Sequence, residues 1–117
     1  MLLVLQERWR MKIYFIDIKE KYLKLKDKLI SAGIENIEVK DSYSFRCTKN
    51  DFVILPEYIE NNAENDLLKK YSNLIIITNK NDENTIWKLA NEYKAKDIIS
   101  SKCNDEYISK RIAKAIL

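Results

Sequence analysis

Histidine is absent from this sequence, and glycine, proline and cysteine are nearly so. The 117 residues contain no histidine, one glycine, one proline and two cysteines. Without histidine, the chain cannot build a histidine-containing zinc set, a histidine-based catalytic triad or a histidine general base. A single glycine also argues against a glycine-rich phosphate-binding loop. These absences remove the commonest catalytic sites and favour a protein that binds rather than an enzyme.

The two cysteines and the short apolar start bear on the cellular compartment. Cys47 and Cys103 are far apart and form no CxxC motif, so we expect no disulfide framework and a reducing cytoplasm. A single bridge between them, or a thiol activated by cationic neighbours, stays open at this point. The apolar run of residues 1–5 is too short for a signal peptide or a membrane span, which predicts no membrane insertion.

The overall composition is that of one ordinary folded domain. Hydrophobic residues make up 46% of the chain and charged residues 33%, with a net charge of +3. This small positive excess neither requires nor excludes a nucleic-acid partner. We expect the domain to cover residues 11–117. Residues 1–10 are interpreted as an N-terminal extension, with Met11 as a second plausible start.

Strand-like and helix-like segments alternate along the chain. Buried-strand patterns occur at residues 12–17, 37–39, 52–55, 74–78 and 98–99. Helical periodicity occurs at residues 22–32, 86–93 and 104–116, with one or two further turns at 66–71 and a short or broken helix expected at 41–50. Gly33 stands where the first helix needs a left-handed C-terminal residue. This alternation predicts a parallel sheet covered by helices on both faces, a three-layer α/β/α sandwich.

The ends of the predicted strands carry the most specific pattern. Asp17 closes the first strand, Asp51 precedes the third, Thr78 closes the fourth, and Lys102 follows the fifth. In this order, over residues 11–117, the chain resembles the receiver domains of bacterial response regulators, which have the flavodoxin-like fold. The resemblance implies strand order 2-1-3-4-5 and a ligand pocket at the carboxyl ends of the strands.

Three departures from the receiver pattern bear on function. Pro56 stands where receivers have the phosphoacceptor aspartate, and Ile18 replaces the second acid of the magnesium pair. Ser101 occupies the position of the receiver lysine, and the basic residue is displaced to Lys102. We therefore predict a degenerate pseudo-receiver pocket with no catalytic residue and no metal site. Its members are Asp17, Ile18, Pro56, Glu57, Thr78, Ser101 and Lys102.

Two qualifications to the degenerate pocket stay open. Asp17 alone is a poor magnesium site, because Mg²⁺ prefers several oxygen ligands, but weak Mg²⁺ binding there is not excluded. Glu57, directly after Pro56, is an alternative acidic acceptor, although a shift of one residue at a strand end usually turns a side chain away.

The resemblance also implies a protein-binding surface. In receivers, the fourth helix, fifth strand and fifth helix form the output and dimer face. Here that face would contain Trp87, Asn91, Lys94, Tyr107 and Arg111. Because the sequence ends with the fifth helix, we expect no effector domain of its own. The expected partner is another protein or a second copy, for a module that stands alone or serves a larger system.

An RNA-binding module is the main alternative. Residues 74–90 also resemble ribosomal proteins that bind kinked RNA turns, with a strand followed by an asparagine-rich loop and a helix. That family begins with a helix and has a glycine-rich contact loop, whereas this chain begins with a predicted strand and has only Gly33. A nucleic-acid partner is therefore the less favoured expectation.

Overall fold

The computed structural model describes residues 11–16 and 23–117. The strands are β1 (Ile13–Ile16), β2 (Ile37–Lys40), β3 (Phe52–Leu55), β4 (Leu74–Thr78) and β5 (Asp97–Ser100). The helices are α1 (Leu23–Ser31), α2 (Glu83–Asn91) and α3 (Asp105–Ile116), with a 3₁₀ helix at Asn65–Lys70. The expected extension at residues 1–10, and Asp17 and Ile18 of the predicted pocket, lie outside the described residues. None of the described helices has the length and apolar character of a membrane span.

The five strands form one parallel sheet in the order β2-β1-β3-β4-β5. This confirms the predicted α/β fold and its strand order. The strands β1, β3 and β4 read as unbroken apolar runs because every one of their residues is buried. A sheet covered on both faces needs apolar side chains in both directions.

Two separate hydrophobic cores lie on the two faces of the sheet. On one face, Ile13 and Phe15 of β1 pack with Leu25 of α1 and Ile112 of α3. On the other face, the alternate β1 residues pack with Leu89 of α2 and Leu68 of the 3₁₀ helix. Successive strand residues point to opposite faces, which is how one short strand supplies both cores. The arrangement is the predicted three-layer sandwich.

The end of α1 has the geometry predicted from the only glycine. Gly33 has φ +91°, the left-handed conformation that glycine adopts without a Cβ penalty. The Ile34 N–H donates to the Leu29 carbonyl at 3.1 Å, and the Gly33 N–H donates to the Ile30 carbonyl at 3.0 Å. These two bonds form a Schellman motif, and Ile34 folds back into the core. The first crossover therefore ends at a defined turn.

The helix expected at residues 41–50 does not form, so that prediction was wrong. The segment is irregular, and Tyr43, Phe45 and Cys47 turn inward between more exposed neighbours. The Phe45 ring centroid lies 4.8 Å from that of Tyr14 and 5.2 Å from that of Tyr71. The Tyr71 hydroxyl also donates to the Tyr43 carbonyl. Inward residues two apart suit an extended chain, and these aromatic contacts cover the part of the sheet that a helix would cover.

Asp51 anchors the far end of this extended segment. Its carboxylate is buried and accepts the Lys12 N–H at 2.9 Å and the Thr48 N–H at 2.7 Å. The Asn73 amide donates to the Asp51 carbonyl at 3.1 Å and to the Lys49 carbonyl at 2.9 Å. The acid that precedes β3 therefore holds the loop together at the amino end of the sheet, away from the predicted pocket.

Candidate functional site

The loops that follow β3, β4 and β5 meet at the carboxyl edge of the sheet. The Tyr58 N–H donates to the Ile77 carbonyl at 3.0 Å, which ties the loop after β3 to β4. The Ser101 N–H donates to the Thr78 carbonyl at 2.9 Å, which ties the loop after β5 to the same strand. The described members of the predicted pocket therefore lie along one edge. They are Pro56, Glu57, Thr78, Ser101 and Lys102.

The residue that follows β3 offers no functional group. Pro56 is buried, and its ring has neither a nucleophile nor a metal-binding atom. Glu57 is half-buried, and Tyr58 beyond it is buried with its ring edge-on to Tyr93, the centroids 6.3 Å apart. Burial, with a smaller contribution from Tyr93, raises the pKa of Tyr58 to about 12. The phenol is therefore neutral at physiological pH and is no general base.

The hydroxyl at the end of β4 is engaged within its own loop. Thr78 is only 1% exposed, and its Oγ1 accepts the Lys80 N–H at 3.0 Å. The Lys80 ammonium pairs with Glu60. Next to this loop, the Lys102 N–H donates to Ser100 Oγ at 3.2 Å, while the Lys102 residue is exposed. Local hydrogen bonds therefore order this edge of the sheet.

Several solved structures that resemble this chain in fold are response regulators or their receiver domains. A response regulator from Thermotoga maritima matches with a TM-score of 0.68 and 15% identity, over 91% of this chain and 98% of that one. The signal receiver domain of an HD domain-containing protein from Pseudomonas fluorescens Pf-5 matches with a TM-score of 0.66 and 20% identity, over 92% and 87%. A CheY-like response regulator receiver domain protein from Methanospirillum hungatei JF-1 matches with a TM-score of 0.62 and 13% identity, over 91% and 93%.

The chain has the receiver fold. No protein-family model matches it, and no curated protein matches its sequence. Identities of 20% or less mean that this likeness concerns the fold alone. The likeness gives no support to the kinked-RNA alternative. What the pocket and surfaces of this receiver fold do has to be argued from its own residues.

The described part of the receiver-fold pocket does not fit a magnesium ion. Mg²⁺ is bound through several oxygen ligands, usually including carboxylates. Within residues 11–16 and 23–117 no group of three acidic or cysteine side chains is placed to hold a metal, and the position after β3 is a proline ring. Asp17 lies outside the described residues, so weak Mg²⁺ binding there stays a prediction.

Neither cysteine of this receiver fold forms a disulfide. Cys47 and Cys103 are free and half-buried, so the single bridge left open by the sequence is not formed. Burial raises the pKa of the Cys47 thiol, the nearby Asp51 raises it further, and Lys70 opposes the shift. An activated cysteine has a lowered pKa, so Cys47 has the opposite character. Its role is to fill space beside the aromatic rings around Phe45.

The predicted partner face lies on both sides of the edge strand β5. Helix α2 packs on one face of the sheet through Leu89, and α3 packs on the other through Ile108. Trp87 on α2 is 64% exposed and Tyr107 on α3 is 45% exposed. Trp87 lies off the buried stripe of its helix, as its sequence position indicated, and Lys94 after the same helix is also exposed.

Polar contacts hold several side chains of this face in place. Arg111 pairs with Asp97 of β5 through two of its nitrogens, and a third nitrogen donates to the Tyr107 hydroxyl at 3.0 Å. The Asp97 hydrogen bonds are the main cause of the raised pKa of Arg111. The Asn91 amide donates to the Trp87 carbonyl at 2.8 Å. On the α3 side, a pre-ordered arginine lies beside the exposed Tyr107 ring, and arginine and tyrosine are both enriched in protein interfaces.

Proposed function

We propose that this chain is a receiver-like signalling module that works through protein contacts, without aspartyl phosphorylation. The observation that carries the proposal is Pro56, which stands buried at the end of β3, where the resemblance implies an aspartate. Phosphoryl transfer needs a nucleophile, a metal and charge stabilisation together. The Thr78 hydroxyl, which would sense a phosphoryl group in a receiver, is buried and bonded to the Lys80 N–H. The described pocket therefore has no aspartate at the end of β3, and its threonine hydroxyl is buried.

Acetyl phosphate or beryllofluoride with Mg²⁺ is expected to leave this protein unmodified, because proline cannot form an acyl phosphate. Intact-mass measurement should show no stoichiometric adduct, and the backbone amides of residues 78–80 and 100–103 should not shift in NMR spectra. A receiver that retains its aspartate, treated in parallel, is the positive control. An adduct would contradict the proposal. If that adduct disappeared in Glu57→Gln, it would identify Glu57 as a non-standard acceptor.

We further propose that Trp87, Asn91, Lys94, Tyr107 and Arg111 form the surface that meets the partner protein or a second copy. The exposed indole on α2 and the Arg111–Tyr107 pair on α3 support this assignment, since aromatic and arginine side chains dominate protein-binding energy. They border β5, at one edge of the sheet. A partner that contacts both helices would also contact the outer side of this strand.

Trp87→Ala is expected to weaken binding of the native partner at least about tenfold, because truncation of a hot-spot aromatic costs 2 kcal/mol or more. The measurement is quantitative capture from native lysate with wild-type and variant proteins. Ile59→Ala is the matched control, because Ile59 is 47% exposed but lies in the loop after β3. Equal capture by Trp87→Ala and wild type would contradict this surface. Capture that disappears after ribonuclease treatment would favour the RNA-binding alternative.

A further inference from the structure

Among the strands of residues 11–16 and 23–117, β2 is the opposite edge of the sheet from β5, and its described pairing is with β1. The Ile13 N–H donates to the Asn36 carbonyl at 3.1 Å, and Ile13 stands opposite Ile37 in the register. In a parallel ladder, backbone polar groups of alternate residues point to opposite sides of the strand. The N–H and C=O groups of Ile37 and Val39 therefore point away from β1, and no other strand of the described residues pairs with them.

The side chains of β2 form a short alternating pattern of charges and apolar groups. Glu38 and Lys40 stand opposite Tyr14 and Ile16 in the register, so they share one face, while Val39 points to the other. Val39 is 43% exposed. The Glu38 carboxylate accepts from the Lys12 ammonium at 3.2 Å and lies 3.5 Å from that of Lys40, with 43% of the Glu38 side chain and 37% of the Lys40 side chain exposed. These charges are accessible from the open edge.

We infer that β2 pairs in antiparallel orientation with β2 of a second copy of this chain, in the register centred on Val39. The two Val39 residues would then exchange both of their outward hydrogen bonds across the two-fold axis. On each side of that pair, Glu38 faces Lys40 of the second copy in a non-hydrogen-bonded pair, where side chains approach most closely. Opposite charges and paired β-branched residues both stabilise such contacts.

Other symmetric registers are less favourable for physical reasons. A register centred on Glu38 places two carboxylates opposite each other, and one centred on Lys40 places two ammonium groups opposite each other. In a register centred between two residues, each residue whose backbone groups point away from β1 faces a residue whose backbone groups point toward β1. The hydrogen bonds between the two copies then cannot form. A register centred on Ile37 also matches the hydrogen-bond directions, but it places Glu38 opposite Asn36, which is uncharged and has a left-handed φ of 61°. Of these registers, the one centred on Val39 combines matched hydrogen-bond directions with opposite charges. Charged edge residues usually block strand pairing, but here the pattern is complementary to itself.

This pairing would join two five-stranded sheets into one continuous sheet with a β5 edge at each end. Both partner faces beside β5 would remain open, so the dimer would present two copies of that face and gain avidity for a multivalent partner. Each β2 contributes only four residues, so the interface is small and the dimer weak. The inference rests on the sheet edge and does not depend on the proposed function.

Sedimentation equilibrium of the full chain, up to about 1 mM, tests the dimer. We expect a concentration-dependent monomer–dimer equilibrium for the wild type. E38K and K40E should each weaken it about tenfold, because each replaces two attractive cross-strand pairs with two repulsive ones. The double variant E38K/K40E should restore it, since the exchanged charges are again complementary. E106K and K110E are the matched controls, because these residues form an exposed ion pair on α3, and they should leave the dimer unchanged.

Amide hydrogen exchange supplies the second measurement. The Val39 amide should become protected as concentration rises, while the Glu38 amide, already directed toward β1, should not change. Circular dichroism should report an unchanged fold for all variants, since exposed ion pairs contribute little to stability. A wild type that is monomeric throughout, a dimer that E38K does not weaken, or a double variant that stays monomeric would each overturn the inference. A dimer sensitive to the α3 controls instead would place self-association at the β5 side.

Discussion

Asp51→Ala is expected to lower the free energy of unfolding by about 3 kcal/mol, because two partly buried backbone N–H groups lose a charged acceptor. The carboxylate is 4% exposed and accepts from the Lys12 and Thr48 N–H groups, at 2.9 and 2.7 Å. These bonds join the residue before β1 to the end of the extended segment, so their loss affects two parts of the amino edge at once. Urea denaturation measured by circular dichroism gives the value.

Two variants make the Asp51 measurement specific. Asp51→Asn keeps one acceptor oxygen and should therefore lose less stability than Asp51→Ala. Asp66→Ala removes an aspartate whose side chain is 85% exposed and should change the free energy of unfolding by less than about 0.5 kcal/mol. A loss below about 1 kcal/mol for Asp51→Ala would mean that water or rearrangement satisfies both donors.

Phe45→Ala is expected to lower the free energy of unfolding by about 2 kcal/mol. Truncation of a fully buried phenylalanine to alanine lowers it by more, but Phe45 is only half-buried. Its ring lies between Tyr14 and Tyr71 and holds the extended segment on the sheet. Removal of the ring should also reduce the near-ultraviolet circular dichroism of the tyrosines. The same denaturation experiment measures the stability change.

Phe45→Leu and Trp87→Ala are the controls for this prediction. Leucine keeps much of the buried area but not the ring contacts, so Phe45→Leu should recover about half of the lost stability. Trp87 is larger but 64% exposed, so Trp87→Ala should change the free energy of unfolding by less than about 0.5 kcal/mol. If Phe45→Ala and Trp87→Ala had equally small effects on the free energy of unfolding, the aromatic contacts around Phe45 would not be what stabilises the extended segment on the sheet.

The sequence predicted the strands because these depend on local and strongly periodic patterns, whereas the resemblance to receiver domains implied their order in the sheet. Residues 74–78 are β-branched or apolar without interruption, and the structure places a fully buried strand there. Gly33 predicted the end of α1 because only a residue without a Cβ adopts the left-handed conformation at low cost. The exposure of Trp87 followed from its place off the helical stripe.

The sequence did not predict the extended segment, although a signal was present. Tyr43, Phe45 and Cys47 alternate with Ser44 and Arg46, which is the two-residue period of an extended chain. What makes this period favourable is contact with Tyr14 and Tyr71, which lie about 30 residues away on either side in the chain. The partners of a long-range aromatic cluster cannot be identified from local spacing, so the segment was assigned a helix.

The sequence by itself determined the order of elements, the lack of an aspartate at Pro56 and the alternation of charges in β2. Each is a property of neighbouring residues, which one chain displays without folding. Only the tertiary structure decided that Asp51 anchors a loop, that Thr78 is bonded within its own turn and that β2 is the outermost of the described strands. These features depend on contacts between residues far apart in the chain. Burial of apolar surface and backbone hydrogen bonding determine which of those contacts form.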